Sequence, residues 1–128
     1  MIISYNIFLD ALQLLNINED SEMCVEFADR APFIIASMCL EVGNIDVLYR
    51  KANGLSNPPV FNPTEFKLNS FFPLADRFIT PAGFYVASML ISDTNIELGD
   101  YFFDKYCDSM SKIVESLPAD ISGTKNVY

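Results

Sequence analysis

Residues 73–117 read PLADRFITPAGFYVASMLISDTNIELGDYFFDKYCDSMSKIVESL, and apolar residues recur at helical spacing on either side of a polar break. The break falls at Asp93 to Asn95. Thr80 followed by Pro81 has the residue types of a helix N-cap and first helical position. Thr94 with Glu97 three residues later matches a capping box, and Pro118 would stop the second run. The segment therefore predicts a helical hairpin, and it contains no catalytic motif.

Working outward, the preceding sequence predicts two more helices. Ile3 to Leu15 has helical spacing, and the capping residues between Asn18 and Ser21 precede a second run from about Asp20 to about Leu40. Pro32 should kink this helix, and Gly43-Asn44 should break it. The prediction is an all-α bundle of four to five helices. It forms one domain over residues 1–118, followed by a flexible C-terminal tail at residues 119–128.

Residues 53–72 form a long irregular connection in this prediction, because Gly54 and three prolines exclude a long helix. Phe66-Lys67-Leu68 alternates weakly, which would allow a short strand. The connection is nevertheless rich in large apolar side chains. Either these side chains fold back and cap the helical core, or they dock on another subunit. The second alternative gives the candidate subunit interface: Val60, Phe61, Phe66, Leu68, Phe71 and Phe72.

The composition argues against an enzyme. The chain of 128 residues has no His, and its three cysteines, Cys24, Cys39 and Cys107, are scattered without a Cys-x-x-Cys spacing. An imidazole base, a Ser-His or Cys-His pair and a zinc site are therefore not expected. No metal, cofactor or catalytic residue is predicted. The cysteines lie at apolar helix positions, which indicates buried, reduced thiols.

The net charge of −9 disfavours direct binding to nucleic acid or to anionic membrane surfaces. The longest uncharged run, Phe78 to Ser92, is too short to span a bilayer. No targeting signal is evident, so a soluble, cytoplasmic protein is predicted. Asp100, Asp104 and Asp108 share one face of the last helix. They form either a solvated face or a surface for a basic partner. The latter would suit a small acidic regulatory or inhibitor protein, including a DNA mimic.

The order of these segments resembles that of small phage head–tail connector proteins, also called head-completion or neck adaptor proteins. The resemblance spans roughly residues 7–117. It lies in Asp10-Ala11-Leu12-Gln13-Leu14-Leu15 and the acidic step Asn18-Glu19-Asp20, in Phe72-Pro73-Leu74-Ala75-Asp76 before Ala82-Gly83-Phe84-Tyr85-Val86-Ala87, and in Glu97-Leu98-Gly99-Asp100-Tyr101-Phe102-Phe103-Asp104-Lys105-Tyr106. Gly99 stands where that family usually has alanine.

The resemblance implies a structural adaptor of a tailed phage or prophage that joins the portal and head to the tail. Such a protein is a homo-oligomer that forms a ring, has portal and tail proteins as partners, and needs no cofactor. It would be made in the host cytoplasm and end in the neck of the virion. Outside a phage, the bacterial cytoplasm would be its place.

Overall fold

The computed structural model describes residues 1–118, and these form a bundle of four α-helices. The helices are α1 (Ser4–Leu14), α2 (Glu22–Ala52), α3 (Ile79–Ile91) and α4 (Ile96–Glu115), with short 3-10 turns at Pro63–Glu65 and Asp76–Phe78. The predicted all-α bundle is confirmed. The predicted tail at residues 119–128 lies outside the described residues.

The hairpin of α3 and α4 organises the core. Nine of the 13 residues of α3 are buried, and α3 contacts each of the other three helices. A helix that is apolar on all sides is stable only when it is enclosed. Its small residues allow close approach, and Ser88 Oγ donates a 2.7 Å hydrogen bond to the carbonyl of Gly99 on α4. The rings of Tyr85 and Tyr106 lie 4.9 Å apart along the same contact.

The close approach of α4 to the end of α3 explains why residue 99 is glycine. A Cβ at Gly99 would overlap the Oγ of Ser92 and lie 3.1 Å from its Cα. A backbone atom cannot move aside as a flexible side chain can, so alanine would force the two helices apart. The position where the connector family usually has alanine thus has a steric reason to differ in this chain.

The second helix is longer than predicted. It begins with Ser21 Oγ accepting from the Cys24 N–H and continues through Pro32 and Gly43-Asn44 to Ala52. The predicted break at Gly43-Asn44 is wrong. A glycine inside a helix costs only about 1 kcal/mol. The burial of α2 side chains on both sides of Gly43 outweighs that cost.

The helix α2 instead ends at Ala52, and Asn53 is its C-cap. Gly54 adopts a φ of 66°, and Leu55 N–H donates to the Arg50 carbonyl at 2.9 Å. This left-handed turn is the usual helix end at which glycine is favoured. The end of α2 is therefore set by the backbone turn at Gly54 and not by a change in the apolar pattern.

Two of the predicted caps are also wrong. Ile79 already begins α3, directly after the 3-10 turn, so Thr80 is not its N-cap. Pro81 still falls in the first turn, where a missing N–H leaves no helical bond unmade. Asn95 caps α4 by accepting from Leu98 N–H at 3.0 Å. The Thr94 hydroxyl instead donates to the carbonyl of Ile91, so it closes α3 and forms no capping box.

The connection forms no strand at Phe66–Leu68, and the short strand that the sequence would allow is absent from residues 1–118. The chain around Phe71 instead makes an isolated antiparallel bridge with Ile3. Ser4 N–H donates to Ser70 O at 2.9 Å, and Tyr5 N–H donates to Leu68 O at 2.8 Å. These carbonyls satisfy N–H groups at the start of α1 that have no partner within the helix.

Within residues 1–118, α2 alone is long and apolar enough to cross a membrane, judged by length and composition only. The core helix of a soluble protein passes the same test, and 39% of the apolar window of α2 is buried. This observation is weak support for a membrane span. The absence of membrane contact remains a prediction.

Candidate functional site

The surface, rather than a cleft with reactive groups, carries the candidate site. Residues 1–118 contain no group of three or more His, Cys, Asp or Glu side chains placed to hold a metal ion. The connection between α2 and α3 exposes large apolar side chains, and the acidic face of α4 exposes carboxylates. These are the two surfaces that the sequence singles out.

The six candidate interface residues of the connection fall into three groups. Phe72 is 1% exposed and belongs to the core, so its prediction as a subunit contact is wrong. Phe61, Phe66 and Leu68 are half-buried and pack against the core. Val60 is fully exposed, and Phe71 is 61% exposed. Some side chains of the connection therefore cap the core, as the first alternative predicts. Val60 and Phe71 face outward, and their docking on another subunit stays a prediction.

A buried ion pair at the end of α2 holds the connection at both of its ends. Arg50 Nε donates to Asp46 Oδ2 at 2.9 Å, one helical turn apart. Its other nitrogens donate to the carbonyl of Ser56 at 3.1 Å and to that of Pro73 at 3.2 Å. Asp46 Oδ1 accepts from the Ala75 N–H at 2.8 Å. Each charge is thus both paired and hydrogen-bonded, as a buried charge requires.

The outward-facing side chains of the connection surround a groove of about 310 Å³. Val60 and Phe71 of the connection, together with Met1 at the N-terminus, line this groove and are exposed. We call these three residues the connection face. Phe61 and Phe66 line the groove and meet edge to face with ring centroids 5.5 Å apart. The aromatic pair gives the groove a defined shape.

The acidic face of α4 lies in solvent, as both of its predicted interpretations require. Asp100, Asp104 and Asp108 are all exposed. None of them has a cationic group within 4.0 Å in the described part of the chain, although Lys112 lies one helical turn from Asp108. Like charges at this spacing repel one another, at a cost of about 0.2–0.5 kcal/mol per pair.

The cysteines differ from one another in burial. Cys24 and Cys39 are buried as predicted, but Cys107 is exposed, so its predicted burial is wrong. Burial, with a smaller contribution from Asp46, raises the pKa of Cys39 to about 12. A thiol with so high a pKa carries almost no thiolate at neutral pH and is a poor nucleophile. This arrangement gives the buried cysteines a packing role.

Sequence reasoning missed two features of α2. The Asp46–Arg50 pair has i, i+4 spacing within an apolar run, and that spacing was a signal for an internal ion pair. The second feature is Arg30, which donates to the carbonyls of Met89 at 3.1 Å and Leu90 at 3.4 Å, near the negative end of the α3 dipole.

The chain matches no protein-family model, no curated protein and no solved structure.

Proposed function

We propose that this chain is a structural adaptor that joins the portal and head of a tailed phage to its tail as a ring-forming subunit. The proposal is supported by the connection face, whose apolar side chains are exposed although the segment bearing them is held in place. Monomeric proteins rarely keep large apolar groups exposed next to one another on an ordered surface. The sequence resemblance to head–tail connector proteins gives the same assignment.

The fixed position of the connection favours docking. Its ends are held by Arg50 and Asp46, and its last residues bond the start of α1, where Phe72 N–H donates to Ile2 O at 2.8 Å. Ordering a flexible segment on binding would cost about 0.5–1.5 kcal/mol for each immobilised side chain. A connection that is ordered beforehand avoids most of this cost. Phe71 and Val60 would then contribute apolar burial with little entropic loss.

The connection face and the helical bundle present different surfaces to a neighbouring copy. If the connection face of one subunit docks on the bundle of the next, the contact is heterologous. Repeated heterologous contacts close into a ring when the rotation between subunits allows it. This geometry agrees with the ring that the connector resemblance implies, and it needs no reactive group.

Multi-angle light scattering tests the proposal with the purified chain, alone and co-expressed with the proteins encoded beside its gene. We expect a higher oligomer or a complex. Val60→Ser and Phe71→Ser should each weaken assembly about tenfold or more, since each removes an apolar contact of about 1.5–3 kcal/mol. Ile96→Ser is the matched control, because Ile96 is 68% exposed at the start of α4, outside the connection.

Assembly that is equally strong in the Val60 and Phe71 variants would show that the connection face is not the interface. The absence of any oligomer or complex, even with the neighbouring gene products, would refute the adaptor. Phe61→Ser and Phe66→Ser are less informative variants. Both side chains are half-buried in the folded monomer, so these changes also disturb its packing.

A second candidate is a small acidic regulatory or inhibitor protein, favoured by the unpaired carboxylates of α4. Asp100, Asp104 and Asp108 would bind a basic partner, and association would be steered by charge. Pull-down of such a partner should weaken as salt rises, because exposed charges are screened within about 8–10 Å. A triple change of these residues to Asn should abolish the capture. Capture that is insensitive to both salt and the triple change would exclude this candidate.

A further inference from the structure

An apolar stripe runs along an exposed face of α2. Val25, Phe33 and Leu40 are 68%, 77% and 63% exposed. Their spacings of eight and seven residues place them within an arc of about 80° on the helix. They span about 22 Å along its axis. We call Val25, Phe33 and Leu40 the α2 stripe, and no described part of the chain covers it.

The surroundings of the α2 stripe are acidic. Residues 22–41 contain four carboxylates, Glu22, Glu26, Asp29 and Glu41, all of them exposed. At 100° per residue, Glu22 and Asp29 fall within the arc of the stripe, and Glu26 and Glu41 fall on one side of it. None of the four has a cationic group within 4.0 Å among residues 1–118.

The single cation in this part of α2 is directed elsewhere. Arg30 bonds the last carbonyls of α3, and it lies 3.4 Å from Asp93 in the turn after α3. It therefore does not neutralise the acidic surroundings of the stripe. A partner that covers the stripe must bring its own positive charge, or it leaves several carboxylates partly desolvated and unpaired, which is unfavourable.

We propose that the α2 stripe binds an amphipathic helix of another protein, whose apolar residues contact Val25, Phe33 and Leu40 and whose flanking Lys or Arg residues pair with the α2 carboxylates. The length and narrow width of the stripe suit a helix of similar length. The inference goes beyond the proposed adaptor role, because it concerns a second surface and a partner of different chemistry. It does not depend on the connection face.

Charge also argues against the other possible occupants of the stripe. A second copy that docked stripe against stripe would bring the same four carboxylates against these four. Like charges that meet at an interface suppress association. An anionic lipid surface would be repelled for the same reason. A cationic amphipathic helix satisfies both the apolar and the acidic parts of the surface.

Fluorescence anisotropy of labelled peptides tests the inference with the full chain. The probe is a helical peptide of about 20 residues with leucines at i, i+3, i+4 and i+7 and lysines beside them. The matched control peptide has the same leucines with glutamates in place of the lysines. We expect the chain to bind the lysine peptide and to bind the glutamate peptide at least about tenfold more weakly, with the difference shrinking as salt rises.

Variants locate the binding. Phe33→Ser and Leu40→Ser should each lower the affinity for the lysine peptide about tenfold. Phe71→Ser on the connection face should leave its affinity unchanged. The double variant Glu26→Lys with Asp29→Lys should reverse the preference between the two peptides. All of these residues are exposed, so far-UV circular dichroism is expected to show an unaltered fold.

Several results would overturn the inference. They are equal binding of the two peptides, no binding of either peptide, or an affinity for the lysine peptide that Phe33→Ser and Leu40→Ser leave unchanged. Self-association that Phe33→Ser abolishes would identify a second copy as the occupant, and binding to neutral lipid vesicles that Phe33→Ser abolishes would identify a bilayer. Loss of assembly in the Phe71→Ser variant with intact peptide binding separates this inference from the adaptor proposal.

Discussion

The Asp46→Ala substitution should destabilise the fold severely, although Asp46 belongs to α2 and not to the hairpin of α3 and α4. In the native chain the Asp46 side chain is 1% exposed and the Arg50 side chain is 10% exposed. Alanine at position 46 leaves the guanidinium buried without a counter-charge. It also removes the acceptor of the buried Ala75 N–H. The guanidinium and the N–H group then remain buried, without water and without a replacement partner, which is unfavourable.

The magnitude follows from the desolvation of the charge that remains. Removing one partner of a buried ion pair costs about 3–5 kcal/mol, because the other charge is left uncompensated. That is a large part of the total of about 5–15 kcal/mol expected for a domain. The double variant Asp46→Leu with Arg50→Met removes both charges. It should be more stable than Asp46→Ala, because no unpaired charge remains in the interior.

Urea denaturation followed by far-UV circular dichroism measures the effect. Asp29→Ala is the matched control, since Asp29 is an exposed carboxylate on the same helix and its loss should change stability by no more than about 0.5 kcal/mol. Chymotrypsin should also cleave the Asp46→Ala variant faster near Phe61 and Phe66. A loss below about 1 kcal/mol, or a double variant less stable than Asp46→Ala, would refute the reasoning.

Three further predictions concern other parts of the structure. Gly99→Ala should lower the free energy of unfolding, measured by urea denaturation, by about 1–3 kcal/mol. Gly43→Ala should instead raise it by about 0.5–1 kcal/mol, because a Cβ at Gly43 meets nothing within 4 Å. Equal effects of the two substitutions would contradict the close approach of α4 to α3. In the native chain only Cys107 should react quickly with Ellman's reagent, and Cys107→Ser should remove that fast phase; fast reaction of a second thiol would contradict the burial of the other two. Burial raises the pKa of Tyr106 to about 12, so the unfolded chain loses this proton first and stability should fall from about pH 10 upward. The free energy of unfolding of the Tyr106→Phe variant should fall less steeply with pH than that of the native chain. Identical pH profiles of the two proteins would refute this.

The connection shows most clearly where sequence reasoning stopped. Its proline and glycine content excludes a long helix in any tertiary context, because proline lacks an N–H and fixes φ. Which of its aromatic side chains turn inward depends on where α1 and α2 lie. Phe71 and Phe72 are neighbours of the same type, yet one is 61% exposed and the other 1% exposed. The bridge to Ile3 sets this alternation, and no local pattern specifies that pairing.

The caps and the break were predicted from local preferences that tertiary contacts altered. Thr94 has the residue type of an N-cap, but Asn95 occupies that role because the Thr94 hydroxyl bonds the end of α3. Gly43 has the residue type of a helix terminus, but α2 continues beyond it because side chains of α2 on both sides of Gly43 are buried. Such preferences are worth about 1 kcal/mol each, so the packing of a whole helix outweighs them.

The sequence alone determined the helical class, the hairpin of α3 and α4, the irregular connection and the acidic charge, because apolar periodicity, proline and net charge act through the local chain or its composition. The tertiary structure alone decided the pairing of Asp46 with Arg50, the division of the connection into inward and outward side chains, and the exposure of the α2 stripe. These features depend on which segments meet in space. Burial is a property of that meeting and not of any residue by itself, so the outward side chains of the connection and the α2 stripe could be identified only in the folded chain.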